Sequence, residues 1–255
     1  MAQELFLDPP MPDVIEQWRH YLQQLDLKPG DTVLDVGCNT GDAEFFLSNL
    51  YPYIGRAVGI DAGEARIRSA NERWAARGRP EKIEFMHGDG TRLPFADGTF
   101  DKAICAETLE WIEEPVRALM EIERVLKSGG VAIIQHTDWD GTLFASSDLP
   151  RTRRIVQAFC DSGPDGTIGR KLPALCREAG FAVVTPGAYM LTNDAFDPAK
   201  YSYKLARMIT DWLASKRAVP KEELDAWFAD LEAMHAGGRY FFAVARLYAV
   251  CVKKT

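Results

Sequence analysis

The chain has 255 residues, 47% hydrophobic and 26% charged, ordinary figures for a soluble globular protein with room for one large domain or a domain carrying a sizeable insertion. A formal net charge of −7 argues against a surface that tracks a phosphate backbone, so DNA and RNA drop in rank as partners. Five scattered cysteines without a C-x-x-C indicate neither a zinc knuckle nor a disulfide framework; the lack of a bilayer-length apolar run and of a basic N-terminal start points to a cytoplasmic protein with buried, reduced thiols.

Pro9, Pro10 and Pro12 predict an irregular arm over residues 1–12. Asp13 followed by Glu16 reads as a capping box, and Val14, Trp18, Tyr21, Leu22 and Leu25 then make one helical face, closed near Pro29-Gly30. Two roles stay open for this helix: packing on a sheet edge, or an N-terminal lid in which Tyr21 meets a substrate. The aliphatic run Val33-Leu34-Asp35-Val36 ends in a carboxylate and turns through Gly37-Cys38-Asn39-Thr40-Gly41-Asp42. Ala43, Phe46, Leu47 and Leu50 follow at i, i+3, i+4 and i+7, the stripe of an amphipathic helix. Strand, glycine turn and helix form the first unit of a nucleotide-type α/β fold, in which the backbone approaches a ligand closely where side chains are absent. Ala57-Val58-Gly59-Ile60-Asp61 is a second strand ending in an acid. Asp61 lies 24 residues after Gly37, near the interval of roughly 20 expected for a ribose-binding acid. The turn lacks the G-x-G-x-x-G spacing of a dinucleotide site, and Asn39 between the glycines tolerates positive φ.

Ile67, Ala70 and Trp74 define a helix ended near Gly78 and Pro80, and residues 83–87 alternate as a third strand. The segment Gly88-Asp89-Gly90-Thr91-Arg92-Leu93-Pro94-Phe95-Ala96-Asp97-Gly98-Thr99-Phe100-Asp101 leads to a fourth strand at 102–106, ending in Glu107-Thr108-Leu109-Glu110-Trp111. Pro115 starts a helix with Val116, Leu119, Ile122 and Leu126 inward. Lys127-Ser128-Gly129-Gly130 ends it, and strand 131–134 runs into Gln135-His136-Thr137-Asp138-Trp139-Asp140. A looser helix around 153–159, a turn at 163–166, a stripe of Leu172, Leu175, Cys176 and Ala179 stopped by Gly180, and a sixth strand at 181–184 follow. Residues 194–236 carry two helical stripes, and a long last strand covers 240–252. Strands alternating with helices mean a parallel sheet.

The pattern Asp35-x-Gly37-x-Asn39-x-Gly41 resembles motif I of class I S-adenosylmethionine (SAM) methyltransferases, with Asn39 where that family has its middle glycine. The run from Gly88 to Asp101 is similar to the region after strand 3 in the ubiquinone and menaquinone C-methylation enzymes, and Leu126-Lys127-Ser128-Gly129-Gly130 to their L-K-P-G-G turn. The resemblance implies a Rossmann-like seven-stranded, mostly parallel sheet of order 3-2-1-4-5-7-6 with strand 7 antiparallel and helices on both faces. It implies a SAM site at Asp35, Gly37, Cys38, Asn39, Gly41, Asp61, Ala62, Gly88, Asp89, Gly90 and Glu107. Asp89 would take the adenine amino group, and the Glu107 segment would run along the methionine moiety. An N/D-P-P-Y/F motif of adenine or amide methylation is absent, which weighs against those substrates.

Ligands of such sheets sit outside the carboxyl ends of the strands, where Asp35, Asp61, Asp89, Glu107 and His136 fall. Carboxylates there suit a sulfonium with ribose and amine donors and repel a pyrophosphate; no lysine or arginine lies in the turn. Charge therefore favours SAM, with S-adenosylhomocysteine (SAH) as product, over NAD or FAD. The leading expectation is methyl transfer to a small, partly apolar or aromatic acceptor at O, N or C. A SAM-assisted non-methylation reaction such as cyclisation, and a non-catalytic scaffold, stay as alternatives. His136, Glu110 and Asp138 are the candidate bases, each with a structural role open beside it. Tyr21, Trp111, Trp139, Tyr201 and Trp212 are candidate acceptor-site residues. No metal site is expected, since the spacing of His136, Asp138 and Asp140 fits no strong metal motif. The expected domains are an arm and lid helix (1–30), a SAM-binding core (31–193 and 237–255) and a helical cap (194–236), the last with a homodimer interface as its alternative.

Overall fold

The computed structural model describes residues 11–76 and 81–255. The expected arm over residues 1–10 and the stop signals Gly78 and Pro80 lie outside the described residues. The helices are α1 (Pro12–Gln24), α2 (Asp42–Leu50), α3 (Glu64–Ala76), α4 (Pro115–Val125), α5 (Leu149–Ser162), α6 (Leu172–Glu178), α7 (Tyr201–Lys216) and α8 (Lys221–Ala236). The strands are β1 (Thr32–Val36), β2 (Arg56–Asp61), β3 (Ile83–His87), β4 (Phe100–Ala106), β5 (Leu126–Thr137), β6 (Leu143–Phe144), β7 (Val183–Asn193) and β8 (Phe242–Val252). They form an eight-stranded sheet of order β3-β2-β1-β4-β5-β8-β6, with β7 also paired to β8. β1 to β5 pair in parallel. β8 runs antiparallel to β5, since Lys253 N donates to Gly130 O and Asp138 N to Ala245 O. The expected order thus holds once the two-residue β6 is added, a strand too short to carry a sequence period.

The chain divides into two compact units. The first comprises residues 18–136, 171–187 and 247–255. Its β1 and β2 are buried almost throughout and are mainly aliphatic, as strands covered on both faces must be, with Asp35 and Gly59 the exceptions inside the runs. α4 opens on Pro115, whose missing N–H costs nothing at a helix start, and buries Ala118, Leu119, Ile122 and Val125. α6 stops at Gly180, which holds φ +100° just past the helix end. The turn expected at Lys127–Gly130 appears inside β5 as an irregularity. Phe100 pairs with Leu126 and Lys102 with Val131, so five residues advance on one strand against two on the other, with Gly129 at φ +72°.

The second unit comprises residues 137–170 and 188–246 together with residues up to 17. Here two expectations are corrected. Pro12 is the first residue of α1 rather than part of an arm, for the same reason that Pro115 opens α4. Asp13 then lies inside the first turn of α1 and does not form the expected capping box. Its Oδ2 accepts from Tyr201 N at 3.1 Å and from Asn193 Nδ2 at 2.8 Å, while Asn193 Oδ1 accepts from Ser202 N at 2.9 Å. Asp13 and Asn193 together satisfy the first two amides of α7, a long-range cap invisible to local spacing. Tyr201, Trp227 and Phe228 of α7 and α8 are buried within this unit. Trp227 is fully buried, edge-on to Phe144 with ring centroids 5.2 Å apart, and its Nε1 donates to Thr152 Oγ1 at 3.1 Å. Phe228 meets Phe196 at 5.0 Å.

Candidate functional site

The glycine turn, in the first unit, is built from three left-handed residues: Gly37 (φ +80°), Asn39 (φ +51°) and Gly41 (φ +86°). Alternation of left-handed with ordinary residues turns successive amides toward one side and keeps side chains off it. Gly37 and Cys38 donate their amides to Ile60 O at 2.8 and 3.1 Å, which fastens the turn to the end of β2. A β-carbon on Gly37 would stand 2.1 Å from Thr108 Oγ1, so the turn and the loop after β4 pack with no space between them. From α3, Arg73 donates to Thr40 O at 3.2 Å and reaches Asp42 Oδ1 at 3.5 Å. An arginine thus grips the back of a turn in which the sequence itself has no cation.

Asp61 is buried at the end of β2. Its Oδ2 accepts the amide of Asn39 at 3.0 Å, and its Oδ1 accepts that of Gly63 at 2.7 Å, with Arg66 Nη1 at 3.4 Å. Ala62 beside it is exposed, and its carbonyl lies 3.1 Å from His87 Nε2. Gly88 donates to Asp61 O at 3.0 Å, and a β-carbon there would stand 2.5 Å from Ile60 Cδ1. Asp89 is exposed; its Oδ1 accepts Thr91 N and Oγ1, both at 2.8 Å, and those bonds hold the carboxyl below its usual range, the backbone one foremost. A β-carbon on Gly90 would press on Val36 Cγ1 at 3.0 Å. Asp35 is buried among Asp42 and Asp61, and burial first, then those charges, pushes its carboxyl well up.

The motif from Leu93 to Asp101 is largely a brace. Arg124 on α4 donates to Phe95 O and Asp97 Oδ1 at 2.8 Å, to Leu93 O at 3.1 Å and to both oxygens of Glu121. Glu121 Oε2 accepts Leu93 N at 2.8 Å, and Asp101 accepts from Thr32 and Lys127. No sequence signal marks Arg124 and Glu121, because beside their own i, i+3 pair they bond the Leu93 and Phe95 carbonyls, the Leu93 amide and Asp97, 27 to 31 residues away.

At the ends of β4 and β5, Glu107 takes φ +52°, a conformation rare for a non-glycine residue and a mark of local constraint. Its amide donates to Gln135 O at 3.1 Å and its Oε1 accepts Gln135 Nε2 at 2.9 Å. Glu107 Oε2 lies 3.5 Å from His136 Nδ1, and Glu110 Oε1 lies 3.8 Å from His136 Nε2. The imidazole is flanked by two carboxylates and has no solvent exposure, whereas the Glu107 side chain is 23% exposed. Trp111, next to Glu110, is 56% exposed. Tyr21 is buried edge-on to Tyr248, their ring centroids 5.9 Å apart.

The other candidates lie in the second unit with neighbours of their own. Asp138 is held by Arg170, whose Nε and Nη2 donate to its two oxygens at 2.8 Å; Nη2 also reaches Asp140 at 3.0 Å. Trp139 stands edge-on to Phe159. Tyr201 is buried beneath the Arg246 guanidinium, 4.6 Å from the ring centroid. Trp212 donates Nε1 to Ser162 Oγ at 2.7 Å. No group of three or more metal-capable side chains occurs among the described residues.

Carboxylates at three parallel strand ends, a turn of bare amides and no free lysine or arginine in that turn suit a cationic sulfonium bearing ribose and amine donors. Asp35 and Asp61 would hold its amine and ribose, and the bound group would supply an activated methyl. This is the SAM-binding class of the doubly wound α/β sheet. Residues 34–134 match the family described as Methyltransferase domain. An uncharacterized 37.1 kDa protein in transposon TN4556 of Streptomyces fradiae is 31% identical over 92% of this chain and 66% of its own length. A demethylmenaquinone methyltransferase of Bacillus cytotoxicus is 36% identical over 47% of this chain; the chain spans about half of that relative, 51% of its length. The solved YcgJ protein of Bacillus subtilis shares the fold at TM-score 0.64 and 17% identity, over 94% of this chain and 99% of its own. The cyclase SpnF does so at TM-score 0.61 and 19% identity, over 94% and 81%. Residues 34–134 therefore match a methyltransferase domain, and this match with the relatives supports a class I SAM-dependent methyltransferase with SAM as cofactor.

Proposed function

We propose that the chain transfers the methyl group of SAM to a small, partly apolar or aromatic acceptor that loses a proton, such as a phenolic hydroxyl or an acidic ring carbon. The observation that carries this reading is the row Glu107, His136, Glu110 at the ends of β4 and β5, in the same compact unit as the glycine turn. Transfer from a sulfonium is an in-line displacement, so the chain's task is to align the acceptor, exclude water and receive one proton. The methyl–sulfur bond breaks as the acceptor–methyl bond forms, and the acceptor's proton passes to the carboxylate–imidazole row. Glu107, being partly exposed, meets the acceptor; His136, fully enclosed, holds the proton behind it, with Glu110 balancing the imidazolium. The Bacillus relative is a demethylmenaquinone methyltransferase, which supports a reduced quinone ring as the first acceptor to try.

Asp138, already committed to Arg170, is assigned a structural role in this reading. The deciding experiment measures SAH formation with a panel of hydroquinones, phenols, amines and thiols. Turnover confined to proton-losing acceptors supports the reading. Binding of SAM with no SAH formed from any acceptor favours SAM-assisted chemistry such as cyclisation. No SAM binding at all leaves a scaffold.

A further inference from the structure

Glu44 stands in the first turn of α2 with an exposure of 0%, and neither of its carboxyl oxygens has a hydrogen-bond partner. Its Oε1 lies 2.5 Å from where a β-carbon on Gly59 would be, beside Cβ and Sγ of Cys38, so the glycine in β2 is what makes room for the carboxyl. Gly59 is the register partner of Asp35 in β1, and Cys38 is part of the cofactor turn. The charged and titratable groups around Glu44 are Asp35 on β1, Asp42 on its own helix, Asp61 at the end of β2 and the Cys38 thiol. The arginines of α3 that bond this region go to its neighbours: Arg73 to Thr40 and Asp42, Arg66 to Asp61. A carboxylate buried without a donor or a cation is costly, and two of them side by side in a low dielectric do not both ionise. Burial, followed by Asp35, holds the Glu44 carboxyl well above its usual range.

We propose that Glu44 is a specificity-determining residue that makes the cofactor site prefer cationic SAM over SAH: with Asp35 it keeps a proton in the free protein and gives it up when the sulfonium arrives. This rests on the SAM reading of the site. One carboxyl O–H bond breaks, the proton goes to solvent, and the carboxylate left behind meets the incoming positive charge; nothing is oxidised or reduced. SAM and SAH carry the same ammonium and carboxylate, so any difference between them in proton release reports the sulfonium alone. Across a water-poor interior such an attraction acts over several ångströms, so Glu44 need not touch the cofactor. Methyl transfer removes the charge from sulfur, the carboxyl takes its proton back, and the product is held less tightly than the substrate.

The test is calorimetric titration of SAM and of SAH into the wild-type protein, in buffers of different ionisation enthalpy, between about pH 6 and about pH 8. SAM should release more protons than SAH, and SAM affinity should rise with pH by up to about tenfold per unit for one proton released. Glu44→Gln should still bind SAM and lose most of that rise. Equal proton release for the two ligands, or a Glu44→Gln protein with the wild-type rise, overturns the inference. If that variant does not fold, the wild-type buffer comparison decides alone. Failure of SAM to bind the wild type overturns the cofactor reading and the inference with it; binding without excess proton release overturns the inference only.

Discussion

Asp61 Oδ2 accepts the amide of Asn39 at 3.0 Å, so the acid at the end of β2 also holds the turn after β1 in shape. Asp61, the candidate ribose acid, and the glycine turn are thus mechanically linked. Asp61→Ala should therefore weaken SAM by about 1.5–3 kcal/mol, as for a lost charge-assisted bond, and speed amide exchange at Asn39 and Gly63 in the free protein. Titration calorimetry and hydrogen exchange check the two halves. Unchanged SAM affinity removes Asp61 from the ribose site.

Asn39 and Gly37 both have positive φ and should answer substitution differently. Asn39 sits at φ +51°, where glycine is at ease; Asn39→Gly should keep the fold and hold SAM affinity within about tenfold, at a cost mostly in unfolded-state entropy. Gly37 combines φ +80° with the Thr108 side chain 2.1 Å from its missing β-carbon, so Gly37→Ala should lower Tm and abolish measurable SAM binding. Complete loss of SAM binding in Asn39→Gly would show that the asparagine side chain itself meets the cofactor.

The difference between these two positions also marks what the sequence made legible. Strand, turn and helix around Gly37 were readable because period, glycine placement and the terminal acid all act within a few residues. The cap of α7 was not, since Asp13 lies 188 residues from Tyr201 and its local spacing mimics a capping box for its own helix. Nor was the bracing role of Arg124, which reaches the Phe95 and Leu93 carbonyls and Asp97, 27 to 31 residues away. Glu44 did leave a trace: it falls three residues before Leu47, on the buried side of the stripe, where a charged residue calls for a reason.

His136 has a flanking carboxylate within 4 Å of each ring nitrogen: Glu107 at 3.5 Å and Glu110 at 3.8 Å. Its replacement by glutamine keeps a side chain of polar character but removes the capacity to hold a proton. Turnover with a hydroxyl or acidic-carbon acceptor should fall about 10²–10⁴-fold while SAM affinity is unchanged. An acceptor that attacks without losing a proton should keep its rate, which separates proton handling from mere packing. Equal losses for both acceptor types would assign His136 to structure.

Trp227 tests the second unit by itself. The ring is fully buried against Phe144, and Nε1 donates to Thr152 Oγ1 at 3.1 Å. Trp227→Ala removes both the packing and the hydrogen bond and should cost about 3–5 kcal/mol, read as a lower urea midpoint. Trp212, half-buried with Lys216 above its ring, should cost less when trimmed to alanine.

Glu44 also makes a prediction about stability without any ligand. Its carboxyl has a higher proton affinity folded than unfolded, because burial and then Asp35 disfavour the ionised form. A group raised in this way stabilises the fold below its unfolded pKa, and that contribution is lost as pH rises toward its folded value. At neutral pH wild type therefore carries a penalty that a neutral isostere escapes. Glu44→Gln should raise the Tm of the free protein by at least about 2 °C at pH 7.5, with the gain shrinking toward about pH 4, where the wild-type carboxyl is protonated in both states. Thermal unfolding followed by circular dichroism at those two pH values reads the difference directly. A gain of equal size at both would trace it to packing, and a loss at both would mean that the glutamine amide is left as poorly satisfied as the carboxyl it replaces.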